Sequence, residues 1–376
     1  MRQLWHMPTI LLGMISLVGY GQSQIGADIG EVMGDFSQYS LSLSDDRTTM
    51  AIGAHHNNDN GKNSGHVTVY KSNSGDWRQV GLDINGERAG DWSGYSVDLS
   101  SDGSMVAVGA VINGDNGKNS GHVRVYEHAV GAWTQVGSDI DGEAPGDWSG
   151  YSLSLSDDGT IVAIGAIFND GNGKNSGHVR VYKNGKGVWT QIGSDIDGRR
   201  AKDYFGASVS LSGDGNMVAI GAHQGIGRPG YVRVYRNISE NWVQVGADID
   251  GEVTGDFSGW SVGLSNDGAI VAIGAYMDNG NGERRGYVRV YQNDSGNWIQ
   301  MGADIDGGKT NDDLSGLNVD VFGNDSVVVM GGYEKNDDGT KQKLGVSHVR
   351  IYKKKANSLN WKRISANVYK GSARGL

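Results

Sequence analysis

The chain has 376 residues, a formal net charge of −10, no cysteine, 62 glycines and only 3 prolines. Such acidity argues against a nucleic-acid partner, because phosphate contacts need basic surface. The lack of cysteine removes disulfides, thiol nucleophiles and thiolate metal sites. Glycine without a three-residue period excludes collagen and reads as turn residues between strand-like runs.

Residues 1–23 read as a secretory signal. Arg2 gives the positive start, residues 10–18 form an apolar run too short to span a bilayer, and Gly19 and Gly21 supply small residues near a cut. The mature protein is therefore expected to be secreted or held at the cell surface, with no membrane span after signal removal. It would be one unit more acidic, since Arg2 leaves with the segment.

From there the chain repeats itself. Asp35, Asp91, Asp147, Asp203, Asp256 and Asp313 lead six similar units, at steps of 56, 56, 56, 53 and 57 residues. A fixed period of this size means one ring or stack of supersecondary units, not several unrelated domains. In the second unit, Tyr95–Ser100 alternates apolar and polar as a half-buried strand does. Ser101-Asp102-Gly103 is a tight hairpin signal, and Met105–Ala110 is apolar on both faces, as in a strand between two neighbouring sheets. Asn113–Ser120 is a polar loop, His122–Tyr126 alternates again, and Trp133–Val136 ends the unit.

Four antiparallel strands per period predict an all-β fold: a β-propeller of six four-stranded blades over residues 24–366, with a basic tail at 367–376. Trp77, Trp133, Trp189, Trp242, Trp298 and Trp361 mark the fourth strands and are expected to pack between adjacent blades. The aromatics Tyr95, Tyr151 and Trp260 are expected to fill the blades. Residues 24–29 copy the end of a fourth strand, so seven such segments serve six units. The C-terminal one, Trp361–Ile364, is expected to complete the last blade and the N-terminal one to flank it.

Strand parity places two loops of each unit on one face of the ring: the Asn-rich loop between strands two and three, and the acidic connection to the next unit. Loop carboxylates should therefore crowd one end, while the other carries only tight turns such as Ser156-Asp157-Asp158-Gly159.

In the fourth unit, Phe205-Gly206-Ala207-Ser208-Val209, Val218-Ala219-Ile220-Gly221-Ala222 and Gly230-Tyr231-Val232-Arg233-Val234-Tyr235 follow in order. This resembles the FG-GAP repeat of integrin α-subunit propellers and related bacterial surface proteins. Other units carry Ser-Gly for Phe-Gly (Ser93-Gly94, Ser149-Gly150, Ser258-Gly259), and none has the proline after Gly-Ala. The resemblance implies a β-propeller, usually of seven blades, against the six units counted here. Its calcium loop, between the first two strands, is not carried over: that connection has shrunk to Ser-x-Asp-Gly, as at Ser212–Gly215, too short to wrap a cation.

Two sets of residues are candidates for chemistry. Asp139, Asp141, Glu143 and Asp147, echoed by Asp248, Asp250, Glu252 and Asp256, offer the oxygens that calcium prefers. Alternatively, each aspartate accepts backbone N–H bonds in its own turn. The fourth unit breaks the symmetry: Arg199, Arg200 and Lys202 replace the acidic connection, and a shortened loop carries His223 and Arg228. That basic notch suits a carboxylated or sulfated glycan, or it is drift without function. His66, His122, His178 and His348 begin third strands, where strand-end packing accounts for them, and Tyr231 and Tyr287 take their place in two units.

No nucleophile elbow, phosphate loop or zinc motif occurs. The expectation is a binding or adhesion module for an extracellular protein or glycan. The alternatives are a polysaccharide-acting enzyme using Arg199, Arg200 and His223, and a structural repeat protein without a specific ligand.

Overall fold

The computed structural model describes residues 40–73, 76–223, 227–276, 286–307, 315–322, 327–334, 346–354, 360–364 and 368–369. The signal segment, the strand copy at 24–29, and the leading Asp35 and Asp313 lie outside them. Every element of the described residues is a strand, arranged as six antiparallel sheets in chain order. The chain is a six-bladed β-propeller. The alternative of seven blades is not what the sheets show.

The third blade shows how the sequence builds a sheet. Its first strand, Ser149–Leu155, pairs with Ile161–Ala166, which pairs with His178–Gly185, which pairs with Val188–Gln191. The second strand is buried along its whole length, as its two-sided apolar pattern requires. One detail corrects the reading from sequence. The outermost layer is not a single strand: after Gln191 the chain bulges and returns as Ile196–Asp197, which pairs with His178 and Val179. The first residues of the acidic connection, Asp139–Asp141 among them, are thus partly sheet rather than loop, with Ile140 and Asp141 paired to Val123 and His122. In the sixth blade Trp361–Arg363 supplies the fourth strand, as expected of the C-terminal segment. Val368–Tyr369 also joins that sheet, so the propeller runs two strand residues into the segment taken as tail.

The core lies between the blades. One apolar cluster joins Ile161, Val179 and Val181 of the third blade to Phe205, Val209 and Ile220 of the fourth. Equivalent clusters fill the other described seams, and a tryptophan of the following blade packs against each. The indole N–H groups latch the seams: Trp133 donates to the Val80 carbonyl (2.8 Å), Trp189 to Val136 (2.8 Å), Trp242 to Ile192 (2.9 Å), Trp298 to Val245 (2.9 Å) and Trp361 to Met301 (2.8 Å).

Nearer the axis the blades meet backbone to backbone. Gly221 in the second strand of blade four faces Gly259 of blade five, and a Cβ on Gly221 would overlap the Gly259 carbonyl oxygen. Gly53 and Gly94, Gly109 and Gly150, Gly165 and Gly206, and Gly274 and Gly316 repeat the contact. A first-strand serine closes each of these seams by donating to the same carbonyl: Ser40 to Gly94 (2.8 Å), Ser96 to Gly150 (2.7 Å), Ser152 to Gly206 (2.7 Å), Ser208 to Gly259 (3.0 Å) and Ser261 to Gly316 (2.9 Å).

The tight turns converge at the end of the axis opposite the loops. Backbone N–H groups run from turn to turn: Asp45 to the Ser101 carbonyl, Ser101 to Asp157, Asp157 to Gly213 and Gly213 to Asn266. The Asn266 amide comes within 3.4 Å of both Asp45 and Asp157, so tips of blades one, three and five meet there. Inside the ring, one first-strand position per blade forms a common layer, polar at Ser42, Asp98, Ser154, Ser210 and Asp320, with Gly263 at the blade-five position. Asp98 accepts hydrogen bonds from the Ser42 hydroxyl and the Leu155 N–H, yet burial pushes its pKa up to about 6. Asp320 keeps solvent access at its surface, yet desolvation inside the ring and the nearby Asp98 and Asp45 carboxylates push its pKa up to about 7.

Two outcomes test this account. Gly221→Ala should cost about 2–3 kcal/mol in denaturant unfolding, because neither backbone at the seam can retreat, whereas Trp189→Phe should cost about 1 kcal/mol through its lost hydrogen bond. Asp320 holds its proton more tightly folded than unfolded, so its contribution is complete below pH about 4 and is lost as pH rises through about 7. Asp320→Asn should therefore raise the melting temperature at pH 8 and leave it unchanged at pH 4. Parallel melting curves at the two pH values would overturn this.

Candidate binding face

In the first three units the two long loops do share one end of the ring, and hydrogen bonds tie them together. The Asn60 amide donates to the Gly86 carbonyl (2.7 Å), Asn116 to Gly142 (2.8 Å) and Asn172 to Gly198 (2.8 Å), each reaching from the Asn-rich loop to the acidic connection. The leading aspartates serve their own turns. Asp91 accepts from the Arg88 N–H, Asp147 from Ala144, and Asp256 from Glu252, Val253 and Ser258.

Immediately after these aspartates come Trp92, Trp148, Tyr204 and Phe257, all in the left-handed backbone region, with φ of 58°, 57°, 54° and 56°. Bulky residues adopt that conformation only under constraint. All four rings are part-buried at the loop-rich end. They join a chain of ring contacts from blade one to blade five. His56 lies 5.1 Å from Trp92, Trp92 6.4 Å from Trp148, Trp148 5.0 Å from Phe168 and Phe168 5.9 Å from Tyr204. Tyr204 stacks on His223 at 5.4 Å, His223 meets Phe257 at 6.1 Å, and Phe257 meets Tyr276 at 5.3 Å. The inner-strand aromatics adjoin the same chain: Tyr95 lies 5.4 Å from Tyr151 and stacks on Trp92 at 6.4 Å, and Trp260 lies 4.9 Å from His223. Beside Phe168 a pocket of about 430 Å³ is lined by Pro145, Asp147, Asn169, Asp170 and Asn175 among others. Sequence reasoning missed the row from Trp92 to Phe257. Its signal was present as an Asp-aromatic dipeptide at the head of five units, Asp35-Phe36 included.

The basic notch is largely neutralised from within. Arg199 lies 3.0 Å from Asp248 and 3.2 Å from Asp250, with its guanidinium 3.6 Å from the centre of the Tyr231 ring. Arg200 and Arg228 lie 3.7 and 3.8 Å from one carboxylate oxygen of Asp203, which is fully buried and also accepts from the Tyr231 hydroxyl (3.0 Å). Lys202 is exposed on a left-handed turn, and its N–H donates to the Lys174 carbonyl. His223 belongs to the aromatic chain instead.

The acidic quartets are likewise divided among partners. Asp248 meets Arg233 at 2.8 Å as well as Arg199; burial disfavours its charge, but Arg233, Gln244 and Arg199 outweigh that and keep its pKa below the ordinary value. Glu252 pairs with Arg289 at 2.6 Å, and Asp256 accepts from the Tyr287 hydroxyl at 2.8 Å. Asp147 accepts from Asn169 (3.0 Å), while burial holds its pKa up. Burial does the same to Asp141. Asp139 and Glu143 separate into different groups: Asp139 approaches His122 (3.4 Å), whereas Glu143 approaches His178 (3.8 Å) and Arg180 (3.6 Å). Among the described residues, atoms within 4.8 Å of one another that could hold a metal come from Glu87, Asp115, His122 and Asp139, from Asp59, His66 and Asp83, and from Glu143, His178 and Asp195.

Comparison with known proteins bears on the scaffold. Among curated proteins none matches the sequence. Solved structures with a similar fold include a 6-phosphogluconolactonase candidate from Bacteroides uniformis, with 11% identity, TM-score 0.59, and coverage of 88% of this chain and 85% of that one. A protein from Lactobacillus plantarum gives 13% identity, TM-score 0.58, and 93% and 88% coverage. The periplasmic gluconolactonase of Pseudomonas aeruginosa gives 16% identity, TM-score 0.55, and 89% and 85% coverage. At such identities the likeness shows the fold alone. The family model of the FG-GAP repeat matches residues 130–182, from the outer edge of the second blade through the third strand of the third. The chain is thus a six-bladed β-propeller that carries an FG-GAP repeat.

Proposed function

We propose that this propeller is a secreted or surface-displayed binding module that takes a neutral glycan on its loop-rich face. The reading is supported above all by the row of part-buried rings at Trp92, Trp148, Tyr204 and Phe257, each held in a strained backbone conformation at one position of the repeat. Strain of this kind, about 1–2 kcal/mol per residue, concentrates where function needs a side chain in a particular place. A sugar ring offers an apolar C–H face that stacks on such rings, while its hydroxyls suit the neighbouring carboxylates and amides, such as Asp170 and Asn175 beside Phe168.

The same face disfavours an anionic glycan. Arg199, Arg200 and Arg228 already have carboxylate partners, and the chain as a whole is acidic. The gluconolactonase likeness supports the scaffold and carries no activity over at 11–16% identity.

A glycan array with the purified protein should show binding to neutral oligosaccharides, weakened about tenfold, or about 1.4 kcal/mol, in Trp148→Ala. Arg200→Ala should leave binding unchanged. Selective capture of sulfated or carboxylated glycans, or release of oligosaccharide products, would overturn the proposal.

A further inference from the structure

We propose that the seam between the first and second blades holds a divalent transition-metal ion, of the zinc or manganese class, on Glu87, Asp115, His122 and Asp139. One ligand atom from each of these residues lies within 4.8 Å of the others. They come from separate stretches: the connection leaving blade one, the Asn-rich loop of blade two, the start of its third strand, and the bulge in its outer layer. One imidazole with three carboxylates suits a borderline d-block cation, whereas calcium takes oxygen ligands only.

Acidic residues gathered at a surface are commonplace, so His122 carries the argument. Its side chain is 1% exposed, and Nδ1 points at Asp139, 3.4 Å away. Nε2 has no hydrogen-bond partner, and the long approach of Nδ1 to Asp139 is an ion-pair contact without good hydrogen-bond geometry. Leaving buried polar atoms unsatisfied costs roughly 1–3 kcal/mol each, and folded proteins rarely tolerate it without a reason. A cation on Nδ1 removes one of the two deficits.

The other blades supply an internal control. In blades four and five the equivalent position is tyrosine, and the hydroxyls of Tyr231 and Tyr287 donate to Asp203 and Asp256. The fold does not need histidine there. In blade three, His178 lies 3.6 Å from Asp195 and 3.8 Å from Glu143, but Gly171 stands where blade two has Asp115, so one ligand is missing. Blade one offers only Asp59, His66 and Asp83 among the described residues.

Two arginines compete with the ion. Arg88 contacts Asp115, and Arg124 lies 3.5 Å from Glu87. Arg124 is already held by the Asn85 carbonyl (2.9 Å) and can stay. Arg88, with 64% of its side chain exposed, can swing into solvent when a cation takes its place.

Isothermal titration of the untagged, chelator-treated chain with zinc, manganese and calcium chlorides tests the site. In a His66→Tyr/His178→Tyr background one equivalent of zinc or manganese should still bind. Adding His122→Tyr should weaken it at least about tenfold, with the metal-free melting temperature kept as evidence of folding. Asp139→Asn should weaken it likewise, and Arg88→Ala should tighten it. Absence of zinc and manganese binding in that background, equal affinity for calcium, or binding indifferent to His122→Tyr and Asp139→Asn would overturn the proposal.

Discussion

Among the described residues, the ring depends on the close approach of two glycines at five of its inner seams. Gly165 against Gly206, or Gly221 against Gly259, brings the second strand of one blade against the first strand of the next with no side chain between. Once backbones approach that closely, the Ser152 or Ser208 hydroxyl can reach the neighbouring glycine carbonyl, and the carbonyl gains a partner it would otherwise lack. Farther out the blades diverge, and the widening wedge is filled first by valines and isoleucines, then by the tryptophan of the following blade. The Phe-Gly and Gly-Ala pairs of the repeat are the two halves of one contact, made by different blades.

That arrangement separates the work of the two ends. At the turn end, backbone hydrogen bonds and Asn266 draw the hairpin tips together, and the layer above them includes two carboxylates, Asp98 and Asp320, whose surroundings favour the protonated form. At the loop end the seams are bridged through asparagine amides that hold one loop against another. With stability supplied by the seams, the loop residues are left to carry part-buried rings, unusual backbone angles and paired charges.

How much was legible beforehand varies with the range of the interaction. Strand limits, the tight turns, the Trp-marked outer strands and the shared face of the long loops all follow from patterns within about 56 residues. The break in the outer layer at residues such as Asp139 was not legible, because a two-residue strand like Ile140–Asp141 has no periodicity to detect. The basic notch read as a charged opening, since the partners of Arg199, Asp248 and Asp250, lie some fifty residues on, in the next outer layer. The row from Trp92 to Phe257 was passed over because nothing in an Asp-Trp pair announces a left-handed backbone.

The repeat by itself determined that this chain is all-β, that its sheets are near copies, and that its long loops share one end, because those properties depend on local alternation, turn chemistry and parity. Only the tertiary structure decided which charges cancel, which rings meet and which histidine is stranded among carboxylates. Those outcomes depend on distances across seams between blades. Identical local sequence fixes such distances only after the ring has formed.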